Sequence, residues 1–161
     1  MTPETASIRS RELCLMAPVI PVLVVDDAAH AVFLARALVA GGLPVLEVTL
    51  RTAAALDVIR EMATVEGGIV GAGTLLTPKD VEDAKEAGAL FGVSPGATDL
   101  ILDACEANDL PLLPGVATAS EAMRLLERGY TIQKFFPAQA NGGAPAPVSY
   151  THLRAHETRL T

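Results

Sequence analysis

The chain has 161 residues, enough for one domain with a hydrophobic core. Half of its residues are hydrophobic, but only 4% are aromatic, a composition that favours close-packed helices on a sheet. The net charge of −7 and the lack of a Lys/Arg cluster argue against a nucleic-acid-binding protein. Cys14 and Cys105 lie far apart without the spacing of a metal or redox motif, so we expect two reduced thiols in a cytoplasmic protein.

The first apolar run, Leu13–Val25, follows Arg9 and Arg11 and to that extent looks like a signal peptide. However, Pro18 and Pro21 interrupt it, two aspartates end it, and no small-residue cleavage site follows. The run is also too short to span a bilayer. We therefore expect a buried strand here, and neither a secreted nor a membrane-bound protein.

Apolar runs recur along the chain about every 20 to 25 residues, and segments with helical periodicity separate them. Six strands are expected, at Val19–Val25, Pro44–Leu50, Gly68–Thr74, Ala89–Ser94, Leu110–Val116 and Tyr130–Phe136. Five helices are expected, at Ala28–Ala40, Ala53–Thr64, Pro78–Ala87, Asp99–Asn108 and Ala119–Arg128. Strands that alternate with helices of this length predict parallel βαβ units with right-handed crossovers.

The ends of the helices carry recognisable capping residues. Thr77-Pro78 places an N-cap before a proline at the first helical position, and Thr118 followed by Glu121 has the spacing of a capping box. In the first helix Asp26 is the expected cap and His30 is expected on the helix surface. Three glycines stand where helices should end: Gly41, Gly88 and Gly129.

Six strands suit two architectures, an open doubly wound sheet or a (β/α)8 barrel that is missing two of its eight units. The strand in Val45–Arg51 helps to distinguish them, because alternation places its leucines and Val48 on one face and Glu47, Thr49 and Arg51 on the other. An open sheet covered by helices would bury that polar row against a helix. A barrel presents it inward, near the C-terminal mouth, so the pattern favours a barrel.

Lys134 stands in the strand segment Tyr130–Ala138, which is otherwise largely apolar. A lysine in such a strand either extends its ammonium group to solvent or is held in the interior. In the interior the charged form is disfavoured, and the side chain becomes a usable amine nucleophile. From this strand alone both interpretations stay open.

Three strands end with unusual polar residues, in the segments Leu46–Arg51, Gly71–Thr74 and Lys134–Ala138. Gly71-Ala72-Gly73 has some likeness to a dinucleotide-binding loop. That interpretation fails because Leu76 stands where a third glycine is required.

Together and in this order, the segments closely resemble the family of 2-keto-3-deoxy-6-phosphogluconate (KDPG) aldolases, which includes 4-hydroxy-2-oxoglutarate (KHG) aldolases. The resemblance covers most of Pro18 to Gly143. The matching segments are PVIPV at 18–22, LVAGG at 38–42, LEVTLR at 46–51, GAGT at 71–74, SPG at 94–96, LPGV at 113–116 and KFFPAQANGG at 134–143.

The resemblance implies an α/β protein with the (β/α)8 barrel fold, of which about six βα units are present here. It also implies a homotrimer and a class I aldolase, a lyase that needs no metal or other cofactor. Such an enzyme cleaves KDPG to pyruvate and glyceraldehyde 3-phosphate, KHG to pyruvate and glyoxylate, or both. The expected partner is a small 2-keto acid, with neither nucleic acid nor a membrane involved.

The resemblance also assigns roles to individual residues. Lys134 matches the lysine that forms a Schiff base with the substrate ketone, and Glu47 matches the general acid and base. Arg51 and Thr74 match residues that hold the pyruvyl carboxylate. Pro95 and Phe136 match residues that shape the pocket around the pyruvyl group.

The family continues beyond its Asn-Gly-Gly loop with two more strands, where glycine-rich loops and a serine bind the sugar phosphate. We therefore expect residues 1–147 to form a truncated aldolase barrel with open edge strands, and residues 148–161 to be an unrelated basic tail. His152 and His156 in that tail have the spacing of a metal-binding pair, but no third ligand is evident. The alternatives are a non-catalytic aldolase fragment and a phosphosugar isomerase on the same fold, which would leave Lys134 without a role.

Overall fold

The computed structural model of the chain describes residues 1–148, in which strands and helices alternate. The strands are β1 (Val22–Leu23), β2 (Val45–Thr49), β3 (Ile69–Gly73), β4 (Gly92–Val93), β5 (Leu112–Leu113), β6 (Gly115–Val116) and β7 (Lys134–Phe135). The α-helices are α1 (Pro3–Met16), α2 (Ala31–Ala40), α3 (Ala55–Met62), α4 (Pro78–Glu86), α5 (Asp99–Ala107), α6 (Ala119–Arg128) and α7 (Pro145–Val148), with a 3-10 turn at Ala28–His30 before α2.

The strands are parallel and follow one another in chain order. β1 to β5 form one sheet, and β6 pairs with β7. β5 and β6 together are the predicted fifth strand, divided at Pro114, which has no N–H to donate to a ladder. The described residues therefore form an incomplete barrel of the (β/α)8 class, which confirms the predicted fold class.

Side chains alternate between the two faces of the strands, as the sequence predicts. On β2, Leu46 and Val48 are fully buried in the large core between the sheet and the helices. Val45 points the other way and joins Phe91 and Val93 in a smaller cluster inside the barrel. This alternation places the polar residues of β2 in the interior of the barrel.

Helix α1 is an element that the sequence analysis did not predict. It includes the start of the segment Leu13–Val25, for which the prediction of a buried strand is therefore wrong. Thr2 caps this helix by accepting a hydrogen bond from the N–H of Thr5, and Pro3 occupies its first position. The buried side chains of α1 are all small: Ala6, Ser7 and Ser10. A helix that buries small residues lacks the apolar periodicity from which helices are recognised.

The first strand is also less buried than expected. Val19, Val22 and Val24 are 57%, 52% and 54% exposed. Within residues 1–148, β1 pairs with β2 alone, so one of its edges is open. The open edge of the first strand is as expected, whereas the prediction that this strand is buried is wrong.

The predicted helix caps are largely confirmed. Two pairs form capping boxes: Thr77 with Asp80, and Thr118 with Glu121. Gly129 ends α6 at φ +107°, a conformation that glycine adopts readily. The cap at the start of the first predicted helix is Asp27 rather than Asp26, since Asp27 accepts from the N–H of Ala29. His30 is exposed, as expected.

The C-terminal part of the described chain contains the Asn141–Gly143 turn and the short α7. Helix α7 had not been predicted. Apart from Val148, the predicted tail at 148–161, with His152 and His156, lies outside the described residues, so that boundary stays a prediction. No helix in residues 1–148 combines the length and the apolar character needed to cross a membrane.

A buried tyrosine links the outer helices to the segment before β7. The hydroxyl of Tyr130 donates to Glu106 at 3.0 Å, and the same carboxylate pairs with Arg128 at 2.9 Å. Arg128 also pairs with Asp99 and Asp103 on the facing side of α5. Burial, followed by the charge of Glu106, raises the pKa of Tyr130 well above its usual range, so the hydroxyl stays a donor.

We expect Tyr130→Phe to lower the free energy of unfolding by about 1 kcal/mol, because the partly buried carboxylate of Glu106 loses one donor. Urea denaturation followed by circular dichroism measures this. The control is Arg124→Ala, which breaks a surface pair with Asp99 and should change stability less. Equal stability of Tyr130→Phe and the parent would show that the hydrogen bond contributes nothing.

Candidate active site

Lys134 and Glu47 meet inside the barrel. Lys134 begins β7 and Glu47 lies in the middle of β2, two strands that are not neighbours in the described sheets. The Lys134 Nζ lies 3.5 Å from Glu47 Oε1, with 24% of the lysine side chain and 6% of the glutamate side chain exposed. Of the two interpretations of Lys134, the structure therefore supports the interior one.

The aromatic ring of Phe136 covers the lysine. Its centroid lies 5.1 Å from Lys134 Nζ, within the range of a cation–π contact. Phe136 follows β7 directly, so the strand that supplies the amine also supplies the ring that shields it. The amine thus has an apolar surface on one side and a carboxylate on the other.

The pKa of Glu47 lies above its ordinary value. Burial raises it, while the charge and hydrogen bond of Lys134 and the charge of Arg51 lower it by less. A carboxyl group in this situation keeps its proton to a higher pH than an exposed glutamate does. A shift in this direction brings the carboxyl group closer to what a general acid and base requires.

Two glycines of β3 make room for the interior side chains. A Cβ at Gly73 would stand 2.2 Å from Glu47 Oε1 and 2.8 Å from Glu47 Cγ, and one at Gly71 would stand 2.4 Å from the ring of Phe91. Both are in register with inward-facing residues of β2, since Glu47 pairs with Gly71 and Thr49 with Gly73. The Gly-Ala-Gly sequence is thus a requirement of packing inside the barrel.

We expect Gly73→Ala to displace the Glu47 side chain, to slow any reaction that depends on its carboxyl group, and to lower stability, because Cγ as well as the carboxyl group has to move. Gly71→Ala is the matched control: it collides with the less mobile Phe91 ring and should lower the unfolding free energy by about 1 to 3 kcal/mol. Thermal unfolding measures the stability of both variants, and the exchange of pyruvate methyl protons for deuterium measures their activity. If Gly73→Ala kept the full exchange rate, Glu47 would not need its present position.

The pair opens onto a cavity of about 190 Å³. Val22, Val93 and Leu113 form its walls. Its bottom is formed by Cys14, Ala17 and Pro18, which we call the cavity floor. The sequence analysis missed the floor because it missed α1; the capping sequence Thr2-Pro3 was the available signal.

The other predicted site residues lie at the carboxyl ends of the strands, where barrel enzymes have their active sites. Arg51 is exposed just after β2, near enough for its charge to lower the pKa of Glu47. Thr74 follows β3 with φ +63°, and the backbone of Pro95, after β4, packs against Gly115, the register partner of Lys134. The structure thus brings Lys134, Glu47 and Phe136 into contact, with Arg51, Thr74 and Pro95 placed around the same mouth.

Other possible sites carry less chemistry. Among residues 1–148, His, Cys, Asp and Glu side chains nowhere gather in a group of three or more that could hold a metal ion. A larger cleft of about 350 Å³ lies between α5 and α6, but its Asp99 already pairs with Arg124 and Arg128, and its Glu121 caps α6.

Residues 11–151 match the sequence model of an aldolase family described as KDPG and KHG aldolase. The chain is 51% identical over 140 residues to the 2-dehydro-3-deoxy-phosphogluconate aldolase of Pseudoalteromonas atlantica, a match that covers 86% of this chain and 65% of that protein. It is 52% identical over 130 residues to the KHG/KDPG aldolase of Escherichia coli K12, covering 80% of this chain and 61% of that protein. The chain thus spans somewhat less than two thirds of the length of these relatives.

Solved structures show the same similarity. The KDPG aldolase of Zymomonas mobilis, crystallised with 3-phosphoglycerate, superposes with a TM-score of 0.88 at 47% identity, covering 93% of this chain and 71% of that one. The KDPG aldolase of Legionella pneumophila, with pyruvate captured as a covalent carbinolamine intermediate, superposes with a TM-score of 0.87 at 39% identity, covering 99% of this chain and 74% of that one.

Proposed function

Because the chain belongs to the KDPG and KHG aldolase family, we propose that it carries the pyruvyl-binding half of a class I aldolase site. The reaction is cleavage of KDPG to pyruvate and glyceraldehyde 3-phosphate, of KHG to pyruvate and glyoxylate, or of both. The observation that supports it best is the contact between Lys134 and Glu47 inside the barrel. An amine and a carboxyl group in one shielded cavity are what Schiff-base chemistry requires.

The first stage forms the imine. The neutral amine of Lys134 attacks the ketone carbon. The proton that the nitrogen then loses passes by way of Glu47 to the carbonyl oxygen, which gives a carbinolamine. Glu47, which keeps its proton to a raised pH, protonates the departing hydroxyl group, and water leaves. The product is a protonated imine on Lys134, beside a carboxylate that stabilises its charge.

The second stage breaks the bond between C3 and C4. As the Glu47 carboxylate takes the proton of the C4 hydroxyl group, the electron pair of the C3–C4 bond moves into the protonated imine, and the aldehyde leaves. The electrons remain on the pyruvyl part as an enamine, which avoids an unstabilised carbanion. Glu47 then protonates C3, and hydrolysis of the imine releases pyruvate.

The remaining residues would bind the pyruvyl group. We assign the substrate carboxylate to Arg51, whose planar fork suits a carboxylate, and to Thr74. Pro95 and Phe136 would bound the pocket, and the contact of Phe136 with Lys134 Nζ supports this for the ring. The substrate is a small 2-keto acid, and the proposed mechanism uses no metal ion or other cofactor.

Family membership also supports a homotrimer. It supports a location in the cytoplasm as well, where the small-molecule metabolism that the proposed reaction belongs to takes place. Size-exclusion chromatography with light scattering tests the assembly. A monomer at micromolar concentration would contradict the trimer without bearing on the chemistry of the site.

The direct test is to incubate the purified chain with pyruvate and sodium borohydride, digest it, and map the mass increase. We expect a reduced pyruvyl adduct on Lys134. The exposed Lys79 and Lys85, which bond Asp83 and the backbone of Asp109, serve as internal controls. No adduct, or adducts spread over all three lysines, would mean that the chain is a non-catalytic relative of the aldolases.

A further inference from the structure

Helix α1 is tied to the bottom of the barrel by two buried serines. Ser7 Oγ donates to the carbonyl oxygen of Gly129 at 3.0 Å and accepts from the N–H of Thr131 at 2.9 Å. Ser10 Oγ donates to the carbonyl oxygen of Leu112 at 3.2 Å. Only 4% of Ser7 and 3% of Ser10 is exposed, so water cannot readily replace these bonds.

Both serines act on segments that lead into the active site. Thr131 lies three residues before Lys134, in the segment that enters β7, and Leu112 directly precedes Leu113 in the cavity wall. On the outer side of the same segment, the side-chain amide of Gln133 donates to the carbonyl oxygens of Ala122 and Tyr130. The approach to Lys134 is therefore held from α1 on one side and from α6 on the other.

The end of α1 forms the cavity floor beneath Glu47. Cys14, at the end of α1, and the two residues that follow the helix, Ala17 and Pro18, line the same cavity as Glu47 and bring no charged group to it. Two titratable groups act on the Glu47 carboxyl, Lys134 from β7 and Arg51 from the end of β2, and the Cys14 thiol from α1 lines the same cavity. The charged side chains in this part of α1, those of Arg9, Arg11 and Glu12, are exposed.

Resting on the proposed function, we propose that α1 is a positioning element of the active site. Through Ser7 and Ser10 it holds the cavity floor against Glu47, and it fixes the segment that aims Lys134 at that carboxyl group. Neither serine touches the reacting atoms, so both act through the groups that they hold. The helix thereby provides the burial that makes Glu47 an effective acid and base.

The test compares the double variant Ser7→Ala/Ser10→Ala with Ser120→Ala, a matched loss of an exposed hydroxyl on α6. The first measurement is alkylation of Cys14 by iodoacetamide, with the fully buried Cys105 as a reference for global unfolding. We expect Cys14 in the double variant to react about fivefold faster, as the loss of buried hydrogen bonds loosens the floor, with Cys105 unchanged.

The second measurement is a carbon-13 NMR titration of the Glu47 carboxyl group, assigned with Glu47→Gln. In the double variant its midpoint should move down toward the ordinary glutamate value, because water reaches the carboxyl group. The acid limb of pyruvate methyl exchange should move in the same direction, and Ser7→Thr, which keeps a hydroxyl group, should lie nearer the parent than Ser7→Ala.

These measurements separate the two proposals. If the midpoint of Glu47 and the reactivity of Cys14 match those of Ser120→Ala, α1 does not position the site and the inference is wrong. If the parent chain forms no adduct with pyruvate, the proposed function is wrong. A parent that forms the adduct, with a downward shift in the double variant, supports both.

Discussion

Lys134→Ala is expected to abolish the pyruvate adduct trapped by borohydride and to lower any aldol cleavage by at least about 10³-fold, because within residues 1–148 no second lysine lines the cavity. The same variant should stop the exchange of pyruvate methyl protons for deuterium, which passes through the enamine. Mass spectrometry of the reduced protein and proton NMR of pyruvate in D2O measure the two effects.

The controls are Lys79→Ala and Lys85→Ala. Both lysines are exposed on α4, and neither lines the cavity of Lys134. Each variant should therefore keep the adduct and the exchange rate of the parent. A loss in Lys79→Ala as large as that in Lys134→Ala would show that the site has been assigned to the wrong lysine.

Glu47→Gln is expected to slow methyl exchange by about 10² to 10⁴-fold, the usual range for removal of a general acid or base. Trapping of the imine should fall less, because Lys134 is still present and solvent can supply a proton for dehydration. The separation of the two readouts distinguishes Glu47 from Lys134, whose loss removes both. If exchange and trapping fell in equal proportion, Glu47 would act on imine formation alone.

The titration of Glu47 also predicts how stability depends on pH. Burial raises its pKa in the folded protein, so between the ordinary glutamate value and the raised value the folded state holds a proton that the unfolded chain releases. The unfolding free energy contributed by Glu47 therefore falls as pH rises through that window. Urea denaturation at several pH values should show a weaker fall for Glu47→Gln, and identical slopes would contradict the raised pKa.

The sequence predicted most accurately those features that rest on short-range patterns. The alternation in β2 placed Leu46 and Val48 on the helix side and Glu47 in the interior, as the structure has them. The capping residues of α4 and α6 were found because a capping box needs only four adjacent residues.

Other features depend on contacts that a sequence pattern does not contain. Helix α1 buries alanine and serine, whose recognition needs the barrel bottom on which they pack. The sixth predicted strand is a strand only at Lys134–Phe135, and Tyr130, at its expected start, bonds Glu106 of α5 instead. The 3.5 Å contact between Lys134 and Glu47 joins distant segments, and only the family resemblance indicated that it would form.

The close fit of Gly73 against the Glu47 side chain has a consequence for how this protein can vary. The two positions share one small volume on adjacent strands, so neither can be exchanged freely while the other is kept. In a library that randomises both codons, survivors should show a negative correlation between side-chain size at one position and at the other. Selection for folding alone would retain many such pairs, whereas selection for catalysis would retain chiefly glutamate with glycine.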